Sequence, residues 1–188
     1  MHVSVPELLS VLLGVVYLLL AARRSRLCWI AGGLSSAILA VLAAEARLPM
    51  QCALNVYYVA VSVYGFLRWS KAREEPRAIA IWPLRLHAAA WAGVLLLSLV
   101  SAHLLQRETQ AAWPFLDSFT TWGSLFVTWL VARMKLENWL CWIAIDSILA
   151  FLFAEQHLYG FAALNLAYVG ICIGGFIGWL CIYRAQPA

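Results

Sequence analysis

Charge is what this chain has least of. Asp, Glu, Lys and Arg make up 12% of its 188 residues, against 64% hydrophobic residues. That is too little to cover the surface of a water-soluble domain of this length, and with a mean hydropathy of +0.83 the bilayer is the natural solvent. Paired thiols are missing too: Cys28, Cys52, Cys141, Cys172 and Cys181 include no Cys-x-x-Cys, which argues against a membrane thiol oxidoreductase. His2, His87, His103 and His157 lack ligand spacing, so no metal is expected. No phosphate loop, hydrolase elbow or soluble catalytic domain is legible, so no cofactor is expected either.

Long apolar runs are abundant. They approach the roughly 20 residues a bilayer core requires near 6–22, 27–45, 49–69, 86–105, 114–132, 137–155 and 159–182, which predicts seven transmembrane helices. The first run has no basic start and is followed by Arg23, Arg24 and Arg26, so it reads as a retained helix and not a signal peptide. Those three, with Arg68, Lys71, Arg73, Arg77, Arg85, Arg133, Lys135 and Arg184, fall on one side of the spans, against Arg47 and Arg107 on the other. The positive-inside rule then puts the N-terminus outside and the C-terminus in the cytoplasm. The longest loop, SKAREEPRAIAIWP, reads as a cytoplasmic linker whose basic residues meet anionic lipid, with no nucleic-acid partner implied. A homo-oligomer is compatible with all of this.

The chain also says one thing twice. ALNVYYVAVSVYGFLRW at 53–69 matches ALNLAYVGICIGGFIGW at 163–179 without a gap, 110 residues apart. LCWIA recurs at 27–31 and 140–144, and Ala44-Glu45 at Ala154-Glu155, with a three-residue difference between the two registers. Helices 2 and 3 thus correspond to helices 6 and 7, and by position helix 1 to helix 5. A unit of three crossings can be duplicated in the same orientation only if an extra helix reverses the chain, and helix 4 does so. The expected architecture is all-α, 3+1+3: a first three-helix repeat over 1–69, a linker and connecting helix over 70–113, and a second repeat over 114–188, as in parallel-repeat transporters.

Polar groups inside the spans mark the candidate site, because they are costly in hydrocarbon and face the bundle interior or a cavity. On helix 6, Trp139, Trp142 and Asp146 share a face; on helix 7, Asn165, Tyr168 and Cys172 do, and on helix 3, Asn55, Tyr58 and Ser62. Helix 5 adds Asp117, Thr121, Ser124 and Thr128, with Trp122 beside them. Interhelical glue is the commoner use of such Ser and Thr residues, and an interfacial anchor is an equal reading for Trp139. A mid-span carboxylate such as Asp146 is a functional hypothesis by default. With Trp142 one turn away it suggests a recess for a flat, cationic, hydrogen-bonding solute. Gly170, Gly174 and Gly178 recur every four residues on helix 7 and predict close helix packing there.

Trp139-x-x-Trp142 within ENWLCWIAID, Asn165-x-x-Tyr168, Tyr64-Gly65 followed by Trp69, and the 3+1+3 plan together resemble the PnuC family of bacterial vitamin transporters, over essentially the whole chain. The resemblance implies facilitated diffusion of nicotinamide riboside across the bacterial cytoplasmic (inner) membrane, with thiamine or riboflavin carried by relatives. It implies a functional link to a cytoplasmic vitamin kinase whose product traps the solute. It also implies that Trp142, Asn165 and Tyr168 contact the vitamin. The chain departs from the pattern at Gly174, where helix 3 has Tyr64.

Two classes of function therefore compete. A carrier explains the duplicated Asn-x-x-Tyr, since alternating access reuses equivalent elements on two sides of a central site. A small membrane enzyme acting around Asp117 and Asp146 would want a metal-binding carboxylate cluster that the sequence does not offer. Between vitamins, nicotinamide riboside is preferred to thiamine because an amide at Asn165 can pair with a carboxamide in both donor and acceptor senses.

Overall fold

A computed structural model of the chain describes residues 4–47, 49–70, 78–108 and 113–186. Seven helices account for nearly all of them: α1 Val5–Ala22, α2 Leu27–Glu45, α3 Pro49–Ser70, α4 Leu84–Glu108, α5 Pro114–Ala132, α6 Asn138–Glu155 and α7 Tyr159–Ala185. Every one lies within three residues of a span expected from hydropathy. Five are long and apolar enough to cross a membrane by length and composition. The other two, α3 and α5, carry the Asn, Tyr, Ser and Thr stripes. Lys71, Arg73 and Arg77 of the linker, and the side chain of Arg107, lie outside the described residues.

Local signals explain the boundaries. Ser4 caps α1 with Glu7 in a reciprocal capping box, which satisfies amides that the first turn leaves open. Arg24, Arg47, Met134 and His157 take positive φ just beyond the C-termini of α1, α2, α5 and α6, the left-handed step that closes a helix and turns the chain back. Exposed Leu and Val residues run along α1 and α4, as expected of helices solvated by lipid.

The chain divides into two compact units: α1–α3 with Ala132–Met134, and the chain from Ile79 to Val131 with that from Lys135 onward. In the first, Trp29 of α2 lies flat against Gly65 of α3, where no methyl group would fit. The indole meets Trp69 edge-on at 5.5 Å and Tyr17 of α1 at 5.8 Å. Ser35 donates to the carbonyl of Ser10, tying α2 to α1. Trp69 is buried, at 6% exposed. Trp29 covers its ring, and its Nε1 donates to the Ala132 carbonyl at 3.2 Å.

The second unit repeats this core. Trp139 of α6 lies on Gly175 of α7 and meets Trp179 edge-on at 5.4 Å. Trp29, Gly65 and Trp69 become Trp139, Gly175 and Trp179 by a shift of 110 residues. The backbone follows: Trp29 N–H to Arg26 carbonyl becomes Trp139 to Leu136, and Arg47 to Ala44 becomes His157 to Ala154. One register of 110 therefore holds through all three helix pairs, which corrects the three-residue shift inferred from LCWIA. Five matching letters align Trp29 with Trp142, but the packed glycine aligns it with Trp139. Gly170, Gly174 and Gly178 also correct an expectation, since a methyl at any of them would meet nothing within 4 Å. The close approach belongs to Gly175, about a quarter-turn round the helix from Gly174. Aromatic contacts join α4 to α5, with Trp91 stacked on Phe119 at 5.7 Å.

Candidate functional site

Helices α6 and α7 pack antiparallel, and their facing side chains form a ladder. Trp139 meets Gly175 and Trp179 at one end, Asp146 meets Cys172 in the middle, and Phe153 meets Phe161 at 5.4 Å at the other end. Asp146 is 5% exposed and accepts from the Cys172 thiol at 3.9 Å. Among the described residues no basic side chain forms an ion pair with it. A carboxyl group held in mid-helix with a weak donor as its partner is costly in hydrocarbon, so it is the most informative group in the unit.

Trp142 is half-buried, between Trp139 one turn before and Asp146 one turn after. Trp139 itself is fully packed, at 1% exposed, which removes it from the lipid interface. Its indole N–H is nevertheless buried without an acceptor among the described residues, and the same is true of Trp29 at the equivalent place in the first unit. An unmade bond of this kind costs about 1–3 kcal/mol unless water or a ligand accepts it.

Asn165 is 7% exposed, and its Nδ2 donates to the Phe161 carbonyl at 2.8 Å. Asn55 in the first unit is equally buried and donates to the Gln51 carbonyl at the same distance. This bond to the preceding turn fixes each amide, so that Oδ1 remains to accept and the second N–H to donate. Tyr168 is half-buried one turn along from Asn165, and Tyr58 is half-buried against Tyr57 at 5.9 Å.

The stripe on α5 divides. Thr128 donates to the Ser124 carbonyl at 2.7 Å, which spends its hydroxyl on its own helix. Trp122 donates from Nε1 to the Ser101 hydroxyl at 3.0 Å and so ties α5 to α4. Asp117 is exposed and Thr121 half-buried. Within its unit, then, the structure brings Trp139, Trp142 and Asp146 onto one face of α6, opposite Gly175 and Cys172 of α7. No group of three His, Cys, Asp or Glu residues that could hold a metal comes together among the described residues.

Sequence reasoning missed a second polar cluster. Glu137, just before α6, accepts from the backbone N–H of Trp82 and lies 3.1 Å from His87 Nε2. His87 and Glu137 stand fifty residues apart, and no local pattern in the sequence joins them.

The described residues form an all-helical fold in which a buried carboxyl, Asp146, lies one turn from the half-buried Trp142, and the comparisons place that fold among membrane transporters. The family model described as nicotinamide mononucleotide transporter matches residues 4–181, and the chain belongs to that family. Among its relatives are the nicotinamide riboside transporters PnuC of Escherichia coli (strain K12) and of Shigella flexneri. Each is 22% identical over 201 residues, covering 93% of this chain and 84% of the relative. The crystal structure of the vitamin B3 transporter PnuC superposes with a TM-score of 0.73 at 18% identity, covering 95% of this chain and 82% of that one. That likeness establishes the fold. The family consists of transporters, so the small membrane enzyme weighed from the sequence gives way, and the chain is a multi-pass membrane protein.

Proposed function

We propose that this chain carries nicotinamide riboside by facilitated diffusion across a bacterial cytoplasmic membrane, and that phosphorylation by a cytoplasmic kinase traps the solute. The observation that carries this reading is Asp146, buried in mid-helix beside Trp142 with a thiol as its partner and no ion pair among the described residues. A flat cation bound there would offset the cost of the buried carboxyl, and the face of the indole favours the same charge. Nicotinamide riboside is such a cation, and its carboxamide suits the remaining donor and acceptor of Asn165. The names of the curated relatives point the same way.

In this reading Trp142, Tyr168 and Asn165 hold the head of the solute, and Asn55 and Tyr58 hold its far end. Trp139 supports Trp142 from behind, while Thr121 and Trp122 border the recess. The recurrence of core contacts at a shift of 110 supports a 3+1+3 plan. The basic residues support a cytoplasmic C-terminus.

A thermal-shift panel of nicotinamide riboside, thiamine, riboflavin and their phosphates on the purified protein tests the reading. A ligand that binds the folded form raises its melting temperature by mass action. Nicotinamide riboside is expected to give the largest rise. A larger rise with thiamine would reassign the solute, and no rise with any member of the panel would sink the carrier reading.

A further inference from the structure

The first unit carries a cluster of arginines around one phenol. Arg133, just beyond α5, donates from Nη1 to the Tyr64 hydroxyl of α3 at 3.4 Å, and Arg68, one turn further along α3, hydrogen-bonds the same hydroxyl. Arg26, just before α2, lies over the Phe66 ring at 5.6 Å and donates from Nη1 to the Ser70 hydroxyl at 3.4 Å. All of these residues belong to the same compact unit. Its carboxylates among the described residues, Glu7 and Glu45, stand in the first turn of α1 and at the last residue of α2. Those are the far ends of the two helices from Arg23, Arg24 and Arg26.

The scaffold does not need this cluster. At the shift of 110 that keeps the Trp–Gly–Trp core, Tyr64 becomes Gly174, Arg68 becomes Gly178, Arg26 becomes Leu136 and Ser70 becomes Leu180, while the Phe66 ring is kept as Phe176. Two guanidinium groups at one phenol oxygen repel each other, and a neutral hydroxyl does not neutralise them. An anion whose oxygens take donors from both relieves that repulsion, and the planar fork of arginine matches a phosphate in this way. The surroundings say what carries the phosphate. Val56, Val63 and Leu67 are each more than half exposed, and their spacing of seven and four places them on one face of α3. Tyr64 is exposed beside that strip, with Arg68 at its end. An apolar strip of helix that runs into phosphate-binding donors has the form of a phospholipid site, with acyl chains along α3 and a headgroup on the arginines.

We propose that Arg68 and Arg133, with the Tyr64 hydroxyl between them and Arg26 at the border, bind the phosphate of an anionic phospholipid whose acyl chains lie along Val56, Val63 and Leu67. A soluble phosphate would make no use of the exposed strip of α3, so the lipid is the better fit. This site is distinct from the basic linker, whose attraction to lipid was expected from charge alone; here the donors are fixed and named. It depends on the chain lying in a membrane and is independent of which solute is carried.

Native mass spectrometry of the purified protein, mixed with equal amounts of phosphatidylglycerol and phosphatidylcholine of the same acyl chains, tests it. Phosphatidylglycerol is expected to be retained over phosphatidylcholine roughly tenfold, and Arg68→Gln or Arg133→Gln each to lower that ratio roughly fivefold, the worth of one arginine at an anionic surface. Arg184→Gln, which removes the same charge from an exposed position at the end of α7, is expected to leave the ratio unchanged. Equal retention of the two lipids by the wild type, or an equal fall in Arg184→Gln, would overturn the site. Thermal unfolding in detergent provides a second reading. Phosphatidylglycerol is expected to raise the melting temperature of the wild type and of Arg184→Gln, and to raise that of Arg68→Gln and Arg133→Gln by less; equal rises in all four would overturn the site. Inorganic phosphate that displaced the lipid and raised the melting temperature as far would assign these donors to a soluble anion and overturn the lipid. Oligomers that form without bound lipid and dissociate in Arg68→Gln and Arg133→Gln would give the surface to a second copy of the chain and overturn it too.

Discussion

Gly175→Ala is the sharpest perturbation of the α6–α7 core. Its methyl would stand 2.8 Å from three carbons of the Trp139 indole, roughly 0.7–1.2 Å inside ordinary carbon–carbon contact. The indole has no room to retreat, because it is 1% exposed and Trp179 stands edge-on against it. The helices must therefore part or Trp139 must leave its rotamer. Overpacking of this size costs about 1–3 kcal/mol. Alanine recovers roughly 0.5–1 kcal/mol through helix propensity, so a net loss of up to about 2.5 kcal/mol is expected. Gly174→Ala provides the control, since its methyl meets open space and only the propensity gain applies. Thermal unfolding in detergent should rank Gly174→Ala at or above wild type and Gly175→Ala clearly below. Trp142 lies one turn beyond Trp139, so Gly175→Ala is also expected to weaken solute binding. Equal melting temperatures for the two variants would refute the packing on which this argument stands.

Other outcomes follow from the same geometry. Trp142→Ala should weaken nicotinamide riboside binding by roughly 1–3 kcal/mol through lost stacking and cation–π contact, whereas Trp69→Ala should lower the melting temperature and leave affinity intact; calorimetric titration of both would expose the error if affinities fell equally. Asp146→Asn should cost a cationic ligand more than roughly tenfold in affinity and a neutral analogue little, and equal losses for the two ligands would mean that charge is irrelevant at this position. Asn165→Leu should abolish binding in a folded protein, and Asn55→Leu should reduce it with altered preference among analogues, each at roughly 1–3 kcal/mol; normal binding with lost thermal stability would make both amides helix glue. Asp146 has Ser36 as its counterpart 110 residues earlier, so no carboxylate pair is available for a proton relay; uptake that rose strongly on imposing a pH or sodium gradient across proteoliposomes would contradict this.

Helix number and boundaries were legible because hydropathy and basic flanks act locally, and each span ended where Arg, Pro or a polar cluster said it should. The duplicated Asn was legible for a similar reason, since Asn55 and Asn165 each bond the carbonyl four residues back and keep their neighbours. What escaped was long-range packing. Trp69 stands near a span end, where tryptophan is usually interfacial, and nothing local announces that Trp29 and Ala132 cover it. The glycine stripe at 170, 174 and 178 misled because spacing alone does not say which face meets a partner. The segment at 79–82 looked like a linker because its neighbours are charged, and its docking depends on Glu137 and Gln186, far away in the chain.

The two units also differ in a consistent direction, and the difference gathers in the surroundings of Asp146. Residues that build the scaffold are kept across the shift of 110: Trp29 and Trp139, Gly65 and Gly175, Trp69 and Trp179. Two pairs proposed to touch the solute, Asn55 with Asn165 and Tyr58 with Tyr168, are kept as well, and the residues around Asp146 are not. Trp142 answers to Gly32, Asp146 to Ser36 and Cys172 to Ser62. At Gly32 the space above the helix is already taken, since a methyl there would lie 2.8 Å from the Tyr17 ring, and Tyr17 answers to Val127. In the first unit an α1 aromatic covers the position from within the fold; in the second a small residue stands on α5 and the indole belongs to α6. Exchanging Tyr–Gly for Val–Trp moves the aromatic group from one helix to the next while leaving the Trp–Gly–Trp core untouched. Divergence at Trp142, Asp146 and Cys172, beside a core that both units keep, gives the second unit an indole and a carboxyl that the first does not have.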